Sequence, residues 1–318
     1  MNILKDKRIL VTGASGFIGT ALTNALTELG AIVGVTEHKT EVSAVCYEVY
    51  PCDLNSDINI FEVVNHFQPE IVFHLASQAI VTDGNINPMT TYKTNIMGSV
   101  NLFSSLLTVE ELHGVIVAST DKVYGRQEDL PYKENFPLYG TKQIYETSKT
   151  CEDIIAQSYY HTYGLPIAIT RFGNVYGPND FHWSRIIPGT IWKFLENKTP
   201  VIRSNGQHYR DFIYIDDVVN GYIELAKHRI SKQSIEPMIY NFGTGIPSIV
   251  LDVVAMISEY FPDAKPPEIM YSAQDEIHQQ YLDCEKAKQN LGWKPETKLR
   301  EGIAKTVEWY KEFYVFSN

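Results

Sequence analysis

The chain has 318 residues, 44% of them hydrophobic and 20% charged, with a formal net charge of −11. That length gives ample material for one large domain or two intimate ones, and that charge leaves no broad basic face for nucleic acid. No apolar run approaches the roughly 18 residues of a membrane span, and the N-terminus enters a strand without a signal-peptide pattern, so a soluble cytoplasmic protein is expected.

Arg8–Thr12 is a short β-branched run that stops at glycine and predicts a first strand. A glycine-rich turn follows, then helical periodicity over 20–29 with Gly30 as its stop. Further strands are expected over 31–36, 46–51, 71–75, 115–119 and 167–171, and helices over 61–67, 95–107 and 145–163. Strands alternating with helices imply a Rossmann-type, doubly wound parallel sheet covered on both faces, an α/β fold. After about residue 175 prolines recur and the rhythm loosens, which predicts a smaller, irregular second lobe. The expected division is a dinucleotide-binding domain over 1–174, rejoined by the chain around 210–243, and a smaller mixed C-terminal lobe over 175–318. Cys46, Cys52, Cys151 and Cys284 have no metal-ligand spacing, so no metal site is expected and reduced thiols in a reducing compartment are.

Gly13, Gly16 and Gly19 join the first strand to the first helix. Glycines there let the backbone approach a pyrophosphate while the helix N-terminus supplies N–H donors and a positive dipole. Glu37, 18 residues after Gly19, suits the adenosine ribose hydroxyls and favours NAD, although His38 and Lys39 leave room for a 2′-phosphate. Tyr145 and Lys149 are four residues apart, one helical turn, so both project from one helix face. An ammonium beside a phenol favours the phenolate, which can take a proton from an alcohol as a hydride leaves the same carbon. Thr120, Asp121 and Lys122 follow a buried strand, where ligands of open α/β sheets bind; alone they also fit a helix cap and a surface ion pair.

Together these residues resemble the extended short-chain dehydrogenase/reductase family, in the branch that acts on nucleotide sugars. The similarity spans nearly the whole chain. The fingerprint Thr12-Gly13-Ala-Ser15-Gly16-Phe17-Ile18-Gly19, the pair Asp53-Leu54, the segment His74-Leu75-Ala76-Ser-Gln78-Ala79 and Asn95 look like its cofactor-binding segments. Thr120, Tyr145 and Lys149 match its catalytic set. The segments containing Asn174 and Arg210 look like its diphosphate-binding segments, and Leu291-Gly-Trp-Lys-Pro295 like its C-terminal signature. Within the family the chain is similar to the CDP-glucose 4,6-dehydratases, in having Lys122 after Asp121 and in the stretches 173–188 and 282–288. It departs from them in lacking an arginine over 82–86 and in carrying Arg210-Asp-Phe-Ile-Tyr. The resemblance implies bound NAD, a nucleotide-sugar substrate with a CDP-hexose favoured, and a C-terminal lobe that binds it. It also implies Asp121 and Lys122 as acid and base, a diphosphate held by Asn174, Arg185 and Arg210, and a homodimer built on the helices over 95–107 and 145–163. A 4-epimerase or a reductase on the same scaffold is the alternative.

Overall fold

The computed structural model describes residues 2–231, 238–272 and 276–317. The first half alternates as expected. Strand β1 (Arg8–Thr12) leads to α1 (Phe17–Glu28), β2 (Ile32–Glu37) and β3 (Glu48–Pro51). Then come α2 (Asp57–Phe67), β4 (Ile71–His74), α3 (Val81–Ile86) and α4 (Pro88–Tyr92). One wide π turn (Lys93–Met97) opens into α5 (Gly98–Leu106), so the helix expected over 95–107 is two kinds of helix in series. Strand β5 (Gly114–Thr120), a 3-10 turn (Asp121–Tyr124), α6 (Ile144–Tyr163) and β6 (Ile167–Phe172) complete this half.

The rest is more regular than its prolines suggest. It holds β7 (Asn174–Tyr176), α7 (Ile186–Leu195), β8 (Val201–Ile202), β9 (Tyr209–Tyr214), α8 (Ile215–Ser231) and β10 (Met238–Phe242). After these come β11 (Pro247–Ile249), α9 (Val250–Ser258), β12 (Glu268–Ile269), β13 (Gln279–Gln280), α10 (Glu285–Leu291) and α11 (Leu299–Ser317). The 19-residue α11 stands where an irregular lobe was expected, and the 17-residue α8 falls in the stretch expected to rejoin the first domain.

Seven strands form one parallel sheet in the order β10-β6-β5-β4-β1-β2-β3. Alternation along each strand feeds two cores. Ile9, Val11, Phe73 and Ile116 face one, with α1 and α8; Leu10, Val72, Val115 and Val117 face the other, with α2, α5 and α6. Each fully buried aliphatic side chain contributes on the order of 1.5–3 kcal/mol to holding these layers. A smaller mixed sheet, β11-β9-β13 with β7 beside β9, lies outside this path. The strand order reverses between β1 and β4, so a crevice opens beyond the carboxyl ends of the central strands. There Thr12, His74 and Thr120 end their strands.

Candidate active site

The glycine turn is built for close backbone approach. Gly13 has φ +77°, and a Cβ there would lie 2.6 Å from the Ala76 nitrogen. A Cβ on Gly19 would overlap the Gly13 carbonyl. Helix α1 begins at Phe17 with Gly16 as its N-cap, and no side chain caps it. Its first N–H groups therefore suit an anion, with Ser15 beside them only partly buried. Glu37 ends β2 and accepts the Val42 N–H at 2.8 Å. Asp53 lies 3.7 Å from His38, and its carboxyl is held below its usual range, chiefly by the Asn55 N–H. Leu54 is buried and packs where Gly98 has no side chain.

The β4 segment locks onto both neighbours. The Leu75 N–H donates to the Thr12 carbonyl at 3.1 Å, and the Ala76 N–H to the Thr12 hydroxyl at 3.3 Å. The Asn95 amide accepts from the Gln78 N–H at 2.7 Å and donates to the Gln78 carbonyl and the Ser148 hydroxyl. Ser148 in turn donates to the Tyr145 carbonyl at 2.7 Å. The segments around Gln78 and Asn95 and the start of α6 are thus one hydrogen-bonded unit.

The Thr120 side chain acts on the Tyr145 phenol and favours its ionised form. The phenol is pushed well above its ordinary range, first by burial, with Arg185 opposing and Glu152 and Asp121 adding to the rise. Burial thus outweighs the charges that favour the phenolate. Lys149, 3% exposed, makes an ion pair with Glu152, 1% exposed, one turn further along α6. Glu152 accepts from Ser99 at 3.1 Å; Ser99 lies 2.8 Å from His74 Nε2, and His74 Nδ1 2.8 Å from the Thr12 hydroxyl. Burial drives the His74 pKa down to about 3, so the ring is neutral and relays hydrogen bonds. Glu152 was not singled out from sequence, although its i+3 spacing from Lys149 was legible there.

Asp121 is 1% exposed, its Oδ1 is 3.9 Å from Lys122 Nζ, and its Oδ2 has no hydrogen-bond partner among the described residues. Burial raises the Asp121 carboxyl and lowers the Lys122 ammonium, so both are driven toward their neutral forms. Arg210 acts electrostatically on both. Its guanidinium donates to the Tyr209 and Ile277 carbonyls at 2.8 Å and pairs with Glu276 at 3.2 Å. Arg185 pairs with Asp180 at 2.9 Å, and the Asn174 amide donates to the Asp211 carbonyl at 3.3 Å. Arg171 is buried and bidentate to Asp153 at 2.9 and 3.0 Å, which makes it structural. Among the described residues no group of side chains could hold a metal, and no helix is long and apolar enough to cross a membrane.

The model of the NAD dependent epimerase/dehydratase family matches residues 9–243. The chain belongs to this family. A Salmonella typhimurium CDP-glucose 4,6-dehydratase is 32% identical over 98% of this chain and 92% of its own. The structure is similar to that of Thermotoga maritima UDP-glucose 4-epimerase with UDP-glucose, with TM-score 0.88, 28% identity, and 96% and 99% of the two chains covered. It is also similar to Thermus thermophilus UDP-glucose 4-epimerase in complex with NAD, with TM-score 0.82, 26% identity, and 96% and 99% covered. The family's cofactor is NAD, and the uncapped α1 with its Cβ-excluding turn fits the pyrophosphate of such a dinucleotide.

Proposed function

We propose that the chain is a nucleotide-sugar 4,6-dehydratase that takes a CDP-hexose and forms its 4-keto-6-deoxy product. The observation that carries this reading is the adjacent pair Asp121 and Lys122, an acid pushed toward its protonated form beside an amine pushed toward its free form. Loss of water needs both, whereas epimerisation at carbon 4 needs neither.

Thr120, Tyr145 and Lys149 are the set that handles the carbon-4 hydroxyl. Tyr145 takes its proton while Thr120 hydrogen-bonds the same oxygen. When bound, NAD supplies the chemistry of accepting a hydride and giving it back. The turn Gly13, Ser15, Gly16, Phe17, Ile18 and Gly19, together with Glu37, Asp53, Leu54, Leu75, Ala76, Gln78 and Asn95, would hold it. A ketone at carbon 4 acidifies the hydrogen at carbon 5, which Lys122 removes as the free amine. Asp121 protonates the hydroxyl leaving carbon 6. Asn174, Arg185 and Arg210 hold the diphosphate, with Asp180 and Glu276 keeping the two arginines in place beforehand. A homodimer through α5 and α6 is part of the reading, because Leu107 at the end of α5 and Ile154 and Tyr163 on α6 leave apolar surface exposed.

The test is incubation of the purified enzyme with CDP-, dTDP-, UDP- and GDP-glucose without added NAD, reading product mass. A product one water lighter than its substrate is expected, first with CDP-glucose. A product of unchanged mass would favour the second reading, a nucleotide-sugar 4-epimerase or reductase, which the similarity to the Thermotoga maritima enzyme supports.

A further inference from the structure

We propose that Gln280 is a positioning residue for water loss: it holds Lys122 as a usable base and fixes the backbone of Asp121. The assignment rests on the dehydratase reading above. Gln280 lies in β13 of the smaller sheet and is 1% exposed. Its side-chain oxygen accepts a hydrogen bond from Lys122 Nζ, and its side-chain nitrogen donates to the Asp121 carbonyl at 3.0 Å. One buried carboxamide thus grips both members of the pair from a strand about 160 residues further along the chain.

The backbone behind Gln280 is held on both sides. Gln279 and Gln280 pair with Tyr209 and Arg210 of β9. The Tyr209 N–H donates to the His278 carbonyl at 2.8 Å. Across the other edge the Tyr132 N–H donates to the Tyr281 carbonyl, and the Asp283 N–H to the Tyr132 carbonyl, both at 2.9 Å. A lysine has a flexible four-carbon stem, so a fixed acceptor at its tip decides where the nitrogen sits.

The chemistry of the acceptor matters as much as its place. An amide oxygen accepts from an amine as well as from an ammonium and adds no charge. A carboxylate in its place would stabilise the ammonium and remove the free base. In the step Gln280 supports, the carbon 5–hydrogen bond breaks and its proton passes to the Lys122 nitrogen lone pair. The electron pair left behind forms the carbon 5–carbon 6 double bond. The carbon 6–oxygen bond breaks with its pair on oxygen, which takes the Asp121 proton and leaves as water. Lys122 gains one proton and Asp121 loses one, so charge balances within the pair that Gln280 grips.

Two variants test this, Gln280→Ala and the isosteric Gln280→Glu, with CDP-glucose as the probe. Absorbance of reduced nicotinamide in single turnover reads oxidation at carbon 4, and product mass reads loss of water. Oxidation should stay within a few-fold of the parent, while water loss slows about 100-fold, the scale of one misplaced acid or base. Reduced nicotinamide should then accumulate. In Gln280→Glu water loss should recover as pH rises, because the pinned ammonium must first lose its proton. If Gln280→Ala fails to fold, Gln280→Glu decides alone. A dehydrating parent whose folded variants dehydrate equally fast, or slow equally in both steps, overturns the Gln280 assignment alone. A parent that releases a sugar of unchanged mass overturns the dehydratase reading and this assignment with it.

Discussion

Asp121→Asn should lower activity and raise stability together. Asp121 is 1% exposed and its Oδ2 has no hydrogen-bond partner among the described residues. Its other oxygen has the Thr120 hydroxyl at 3.2 Å and Lys122 at 3.9 Å. An unmatched buried polar atom costs about 1–3 kcal/mol, more when it bears charge. Asparagine has the same shape and is neutral without taking up a proton on folding, so recovery of on the order of 1 kcal/mol is expected, a rise of about 2 °C in Tm for a chain of this size. The pH dependence has a definite sign. Burial raises the folded carboxyl, so the folded chain binds the proton more tightly than the unfolded one. That contribution is complete below the unfolded value of about 3.9 and is lost as pH rises through the folded value. The stability advantage of Asp121→Asn should therefore be largest near neutral pH and shrink on acidification. Thermal unfolding at about pH 5 and about pH 8 checks this. Water loss, read by product mass, should slow by about 10²–10⁴-fold, because the general acid is gone. Lower Tm together with lower rate would make Asp121 a structural residue and refute the reasoning; so would an unchanged rate.

Tyr145→Phe should cost at least about 100-fold in turnover while bound NAD is retained, checked by kinetics and by cofactor content of the purified protein. Gly13→Ala should yield protein with depleted NAD, since its Cβ would press on the Ala76 nitrogen at 2.6 Å from a backbone at φ +77°; full occupancy would count against the cradle. Arg171→Met strands a fully buried Asp153 and should lower the free energy of urea unfolding by about 3–5 kcal/mol; a loss below about 1 kcal/mol would deny the pair that role. Ile154→Glu, at a position 52% exposed on α6, should convert the proposed homodimer to a monomer in light scattering; a variant that stays dimeric would place the interface elsewhere.

The sequence was legible where local signals and tertiary packing agree. Strand β1, the glycine turn and α6 announce themselves by β-branched runs, glycine stops and helical spacing. The start of α1 lies three residues earlier than its apolar periodicity, because Gly16 caps it with backbone alone. Helix α8 was missed. It carries Gly221 in its interior, which reads as a breaker, yet a Cβ there would lie 2.9 Å from the Phe242 ring, so packing demands the glycine. Strands β7, β8, β11, β12 and β13 are two or three residues long, too short for a period of two to register. Gln280 sits on one of them, and no spacing in the sequence ties it to Lys122.

Spacing on one helix places Tyr145 and Lys149 on the same face, but it does not say which charge governs the phenol. That depends on what crosses the sheet. Thr12 ends β1, His74 ends β4, Ser99 lies in α5 and Glu152 in α6, and hydrogen bonds join them in series to the Lys149 ammonium. A cation already paired with a buried carboxylate has less net field to offer a neighbouring phenol. Burial opposes the phenolate most; Arg185 favours it, and Glu152 and Asp121 add to the opposition. The phenol's acidity is thus set first by burial and then by charges from three separate segments. On the proposed reading, a substrate diphosphate held by Arg185 would offset part of that favourable charge.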